Sequence, residues 1–218
     1  MDRRAAILTH LARYRVSTRP IISKLFYEGG DPKNDLAALR EKGHISVVER
    51  ALSNNTSYYH LTPAGAREIA SQGPTEAPGG RALDRDLKIL YFCCQAPNPR
   101  ERISEADWRR LWGRDNPPAG EHCLIPRGDM ILILRLYAPS TDVADSISWL
   151  SRLVSESIDD SYLARLIESQ QYGFAVLAPS PPYARDFDQR IRRHTGDTPP
   201  LGKMAYIVVE SPLAPTPS

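Results

Sequence analysis

The sequence predicts an α+β protein of two domains, a small helix-rich one at the N-terminus and a mixed-sheet α/β one behind it. Three observations predict this. Charge is uneven: residues 1–72 hold 11 Lys and Arg against 7 Asp and Glu, whereas the remaining residues hold 17 against 19. Proline is uneven in the same way, since of 19 only Pro20, Pro32 and Pro63 fall in the first 72 residues. Hydrophobic spacing also changes there. It is helical and then hairpin-like before the break, and alternates between strand and helix after it.

The break is a polar, Pro/Gly-rich stretch from Ser71 to Gly80 that cannot bury a core and reads as a linker. The expected organisation is a domain at 1–72, a linker at 73–81, a second domain at 82–211 and a frayed tail at 212–218. Composition sets the outer bounds. With 41% apolar and 25% charged residues the 218-residue chain matches globular averages, which excludes wholesale disorder. The longest apolar run, Met130 to Leu134, ends at Arg135, far short of the roughly 18 residues that span a bilayer. No leader pattern follows Met1, and Cys93, Cys94 and Cys123 are too few for a disulfide framework, so the expected compartment is the cytoplasm. There is no internal repeat. The net charge of +2 does not by itself announce a nucleic-acid partner.

In the first domain, Ile7, Leu8, Leu11 and Tyr14 recur at helical spacing. Thr18 is placed to cap a second helix, with Pro20 in its first turn and Ile22, Leu25 and Phe26 turned inward. Gly29 and Gly30 make the turn. Asp31 then caps a third helix with Pro32 at its first position, Leu36 and Leu39 inside and Gly43 as the stop. Ile45 to Glu49 reads as a strand, Ser53 to Thr56 as a turn and Ser57 to Leu61 as the returning strand. Thr62 and Pro63 open a fourth helix that contains Ile69. Helix, helix-turn-helix, hairpin, helix is the order of a winged helix-turn-helix domain.

That order assigns roles. With Leu36 and Leu39 inward, the third helix turns Lys33, Asn34, Ala37 and Arg40 outward. Lys33 and Arg40 suit phosphate or guanine, Asn34 suits adenine, and Ala37 leaves room for a base edge. Arg50, Asn54 and Asn55 at the hairpin suit sugar-phosphate contacts. Ser17, Thr18 and Arg19 are expected where the second helix crosses the DNA backbone.

The run from Ala6 to Pro20, the pattern Leu36, Leu39, Gly43, Ile45 and the junction Tyr58, Tyr59, Leu61, Thr62, Gly65 resemble winged-helix regulators of bacteria and their mobile elements. Among these it resembles the replication-relaxation family of plasmid and conjugative-element proteins. The resemblance covers about the first third of the chain. It implies double-stranded DNA as partner and a role in transcriptional control or plasmid maintenance, and it suggests a nuclease-like sheet for the second domain.

In that domain Leu87 to Cys94 reads as a strand. Ser104 to Asp107 has capping-box form and opens a helix with Trp108, Leu111 and Trp112 on one side. His122 to Pro126 and Met130 to Tyr137 read as two strands joined by a tight turn at Arg127, Gly128 and Asp129. Thr141 caps a long helix with Val143, Ile147, Leu150 and Val154, followed by a helical stretch with Leu163, Leu166 and Ile167. Tyr172 to Ala178 is a strand, Tyr183 to Arg193 a helix and Met204 to Glu210 a strand, which together give a mixed sheet with helical cover. A metal-dependent nuclease of this type needs an acid at a strand start and an acid-x-Lys pair on the next strand. Asp129 fits the first position, but Ile131 to Tyr137 supplies neither a second acid nor a lysine, and Lys203 and Glu210 lack the spacing. Asp129 is then a turn residue and the site is absent or degenerate. Cys93 and Cys94 are adjacent, expected on opposite faces of a strand, and no phosphate-loop, dinucleotide or serine-hydrolase motif is present. Asp159, Asp160, Asp186 and Asp188 read as caps or solvated face, and Arg190, Arg192, Arg193 and His194 as a charged helix end. No metal or cofactor is expected.

A winged helix alone reads few base pairs, so two joined copies are expected, with Trp108, Trp112 and Trp149 as candidates either for the dimer interface or for the domain's own core. The expectation is a sequence-specific DNA-binding regulator, such as a repressor, of a bacterial mobile element or defence locus. It would act as a homodimer open to modulation by a small-molecule or protein effector, with no membrane partner. The alternatives are an accessory protein of plasmid replication or conjugative transfer, and a metal-dependent DNA nuclease.

Overall fold

The computed structural model describes residues 2–52, 55–96, 100–113, 118–128, 130–139 and 142–193, with the backbone alone of 194 and 205–210. It is a mixed α+β fold with two open sheets. Its contacts divide it into two compact units, one running to Gln95 and the other spanning Ala96–Ser211.

The first unit opens with α1 (Arg3–Tyr14), capped by the Asp2 carboxylate on the Arg4 amide. Its apolar stripe Ile7, Leu8 and Leu11 is fully buried, worth about 1.5–3 kcal/mol per side chain. The two-residue β1 (Val16–Ser17) follows, then α2 (Arg19–Tyr27), α3 (Lys33–Glu41), the strands β2 (Ile45–Leu52) and β3 (Thr56–Leu61), and α4 (Pro63–Glu68). The sheet order is β1-β3-β2, antiparallel throughout. Ile22, Leu36, Leu39, Ile45 and Leu61 close over the α1 stripe.

Several local expectations change. Leu25 is on the surface, 41% exposed, because the core side of α2 is made by Ile21 and Ile22. Thr18 holds the N-cap position of α2 without its hydroxyl capping an amide. Pro32, not Asp31, is the N-cap of α3, and the Asp31 carboxylate accepts the Lys33 amide from one residue further out.

The strand at Leu87 to Cys94 is instead helix α5 (Gly80–Cys94), which belongs to the first unit. Every residue from Asp86 to Cys94 is buried. A helix enclosed on all sides loses its polar stripe and reads as an unbroken apolar run, as a buried strand does. Cys93 and Cys94 therefore follow a helical turn, not the two faces of a strand. Fully buried Asp86 is 3.2 Å from the Arg15 guanidinium, and Lys24 of α2 donates to the Cys94 and Gln95 carbonyls at 3.0 and 3.1 Å, closing the end of α5. The Pro/Gly stretch is held too, since the Tyr58 hydroxyl donates to the Pro78 carbonyl at 2.8 Å. The contact boundary thus lies after Gln95 rather than at 73–81.

In the second unit come β4 (Glu101–Ile103), α6 (Glu105–Trp112), β5 (Glu121–Arg127), β6 (Met130–Tyr137), α7 (Val143–Asp159), α8 (Ser161–Glu168), β7 (Tyr172–Ala178), α9 (Pro181–His194) and β8 (Ala205–Glu210). Strands β4, β5 and β6 are antiparallel neighbours, and β6, β7 and β8 are parallel. The parallel pairs need crossovers, which α7 with α8 and then α9 supply. Ser104 and Asp107 form the expected capping box of α6. Thr141 lies outside the described residues, and Asp142 caps α7 by accepting from the Asp145 amide at 2.9 Å. Asp160 caps α8, as read from the sequence. The tail at 212–218 also lies outside the described residues.

Each unit buries one neutral histidine. Burial, with Arg13 nearby, lowers His10 to about 4, and burial, with Arg135 nearby, lowers His122 to about 3. His10 Nε2 pairs with the Ser17 hydroxyl at 2.9 Å and His122 Nε2 with the Tyr172 hydroxyl at 3.0 Å.

Two outcomes are expected. Above about pH 6.5 both imidazoles are neutral whether the chain is folded or unfolded. Below it the unfolded chain takes up protons that the folded one refuses, so stability falls with pH. Urea titrations at pH 7.5 and 5 should differ by about 2 kcal/mol for each unit, and a flat profile would contradict neutral burial. The second concerns Gly65. A Cβ there would run into the His44 carbonyl, so Gly65→Ala should destabilise the first unit by about 1–3 kcal/mol in the same titration.

Candidate nucleic-acid interface

The candidate interface is built on α3, and two carboxylates, Asp35 and Asp31, determine how α3 is presented. Asp35, in its first turn, accepts from Arg4 Nε of α1 at 2.7 Å and from the Tyr27 hydroxyl of α2 at 2.6 Å. One side chain therefore ties three helices. Hydrogen bonds from Tyr27 and then Arg4 hold the Asp35 carboxyl below its usual range, while burial and then the bond to Asp35 push Tyr27 up to about 12. Arg3 lies over the Tyr27 ring, 5.2 Å from its centre. At the start of α3, Asp31 accepts from Arg19 at 2.6 Å as well as from the Lys33 amide.

With Leu36 and Leu39 buried, Lys33, Asn34, Ala37 and Arg40 are all exposed. Among the described residues the side chains of Lys33, Asn34 and Arg40 make no hydrogen bond or ion pair. The structure thus brings the four predicted α3 residues to one open face, with the Asp31 and Asp35 carboxylates engaged elsewhere. Such a face presents two cations, an amide and a small gap, which is donor chemistry suited to phosphates and to purine edges.

The other predicted contacts divide. Arg19 is exposed. Ser17 and Thr18 are fully buried and cannot reach a phosphate. Ser17 is consumed by His10, and Thr18 faces Tyr91 of α5. Small polar side chains carry no burial signal in a sequence, and the partners that draw these two inward lie elsewhere in the chain. At the hairpin, Arg50 and Asn55 are exposed and both adopt left-handed backbone conformations, φ 54° and 57°. Strand register shifts between Val48 and Leu52, so the hairpin bends there. Asn54 lies outside the described residues. The contacts that sequence reasoning missed are Arg4 and Tyr27, since nothing in their spacing points to a residue as distant as Asp35.

In the second unit the tryptophans take part in the core. Trp108 is 2% exposed and sits in the core, with Trp112 and Trp149 packed half-buried against it. Trp149 stacks on Tyr137 at 3.9 Å between ring centres. All three rings thus pack in or against the unit's own core, one of the two places expected for them. Asp129 and Lys203 lie outside the described residues. Arg190 pairs with Asp186 at 2.8 Å and Arg192 with Asp188 at 2.9 Å along α9. Arg193 is exposed, and of His194 only the backbone is described. A shallow cleft of about 640 Å³ lies where α7 and α9 begin, lined by Asp142, Val143, Ala144, Pro182, Tyr183, Asp186 and Arg190.

Among the described residues no three His, Cys, Asp or Glu side chains converge as metal ligands. All three thiols are buried, and burial pushes Cys94 up to about 12, which keeps it protonated. No described helix is long and apolar enough to cross a membrane. No protein-family model, no curated protein and no solved structure matches the chain.

Asp35→Asn should weaken both contacts of this junction. The expected cost is about 1–2 kcal/mol in urea unfolding at pH 7, because bonds to a charged group are the stronger kind but this carboxylate is partly solvated. The cost should shrink in acid, as the wild-type carboxylate loses its charge as well, and only below the usual carboxylate range because its partners hold it low.

Proposed function

We propose that the chain is a sequence-specific double-stranded-DNA-binding regulator whose N-terminal unit is a winged helix. In this reading α3 enters the major groove and the β2–β3 hairpin rests on the flanking strand. The observation that carries it is the open α3 face: Lys33, Asn34, Ala37 and Arg40 exposed together, their polar ends unbonded, with Asp31 and Asp35 turned to other partners. An α-helix is about 10–12 Å across with its side chains, which suits a groove about 12 Å wide. The motif resemblance read from residues 6–65 of the sequence is in keeping with this reading, as is the net positive charge of residues 1–72. Two copies on a two-fold site would supply the discrimination that one short helix lacks.

The test starts from DNA recovered with the protein from cells, reduced to a minimal duplex and titrated by fluorescence anisotropy. Changing Lys33, Asn34 and Arg40 together to alanine should weaken binding to that duplex at least about a hundredfold, since each good base contact is worth about 1–3 kcal/mol. Circular dichroism should not change, because these side chains support nothing inside the fold. Undiminished binding by the triple variant would overturn the assignment.

A further inference from the structure

We propose that Asp31 holds Arg19 in reserve, releasing it only to a DNA phosphate that displaces the carboxylate, and so suppresses loose binding to arbitrary duplex. This rests on the DNA-binding reading above and adds a control to it. The cations around α3 fall into three kinds. Lys33 and Arg40 are unpaired among the described residues and always available. Arg4 is committed, because its partner Asp35 is also held by Tyr27 and stands only 24% exposed. Arg19 is between these. Its guanidinium is 2.6 Å from Asp31, with both side chains more than half exposed, at 53% and 55%.

An exposed pair of that kind favours its closed form by no more than about fivefold. A phosphate seated against Arg19 offers equivalent charge and a bidentate geometry, so it can take the carboxylate's place. A duplex that drifts past without docking meets a neutralised pair and gains nothing from it. Asp31 has a second hold, the Lys33 amide at 2.9 Å, so it stays in position when Arg19 leaves. The restraint is therefore reusable and needs no rearrangement of α2 or α3.

The experiment is a salt titration of binding to a random-sequence duplex of about two turns, using the full chain. Asp31→Asn keeps an oxygen for the Lys33 amide and removes the charge. It should tighten binding roughly two- to fivefold at low salt and steepen the logarithmic salt dependence by about one, the signature of one more phosphate contact. Adding Arg19→Ala to that variant should cancel both changes. Glu41→Gln, which removes an α3 carboxylate with no ion-pair partner among the described residues, should leave the slope as it was. If Asp31→Asn changes neither affinity nor slope, or if its gain survives without Arg19, the restraint is refuted while DNA binding stands. If the wild-type chain binds no duplex at all, the DNA reading falls and the restraint with it.

Discussion

One carboxylate sets the geometry on which the first unit depends. A nine-residue helix is too short to be stable by its own propensity, so α3 takes its position from what it touches. Leu36 and Leu39 fix which side faces the core but leave the helix free to roll on a greasy surface. Asp35 removes that freedom by accepting from α1 through Arg4 and from α2 through Tyr27. Apolar burial supplies the energy and a directional polar contact supplies the angle. The open face is what remains once both conditions are met.

The far end of α3 is held by a different device. The Thr62 hydroxyl donates to the Gly43 and His44 carbonyls and accepts from the Gly65 amide, so the start of α4 is clamped to the end of α3. The approach is so close that only glycine fits at position 65. This gives a physical reason for the Thr62 and Gly65 spacing that stands out in the sequence. In the second unit the equivalent ties are buried hydroxyls. Ser146 receives the Tyr137 and Tyr183 hydroxyls at 3.1 and 2.6 Å, joining β6, α7 and α9.

Where an element is buried on one side, its sequence showed it. The stripe of α1, the Leu36 and Leu39 pair of α3, the β5–β6 hairpin and the capping box of α6 are all legible as periodicity or local chemistry. Elements buried all round or very short were not. Helix α5 reads as a strand because no polar stripe interrupts it, and β1 has only two residues. The α3 face was legible because its exposure follows from the inward leucines. Ser17 and Thr18 were misplaced because their burial is decided by His10 and Tyr91, side chains that local pattern does not connect to them. The tryptophans illustrate a related limit. Hydrophobic size is the same in a core as at an interface, and only the fold shows that Trp108 is enclosed.

The parallel half of the larger sheet has a bearing on how the protein is made. Ile133 finds its neighbour Tyr172 only after α7 and α8 have been built between them, and Gly173 then waits for Ala205. Pairings of that separation close long loops before they gain any contact, which makes them slow. The first unit closes comparable distances, since Val16 of β1 pairs with His60 of β3 and Arg15 reaches Asp86 of α5. During synthesis β7 gains its second neighbour only when β8 has emerged, which leaves that apolar edge open longest within the larger sheet.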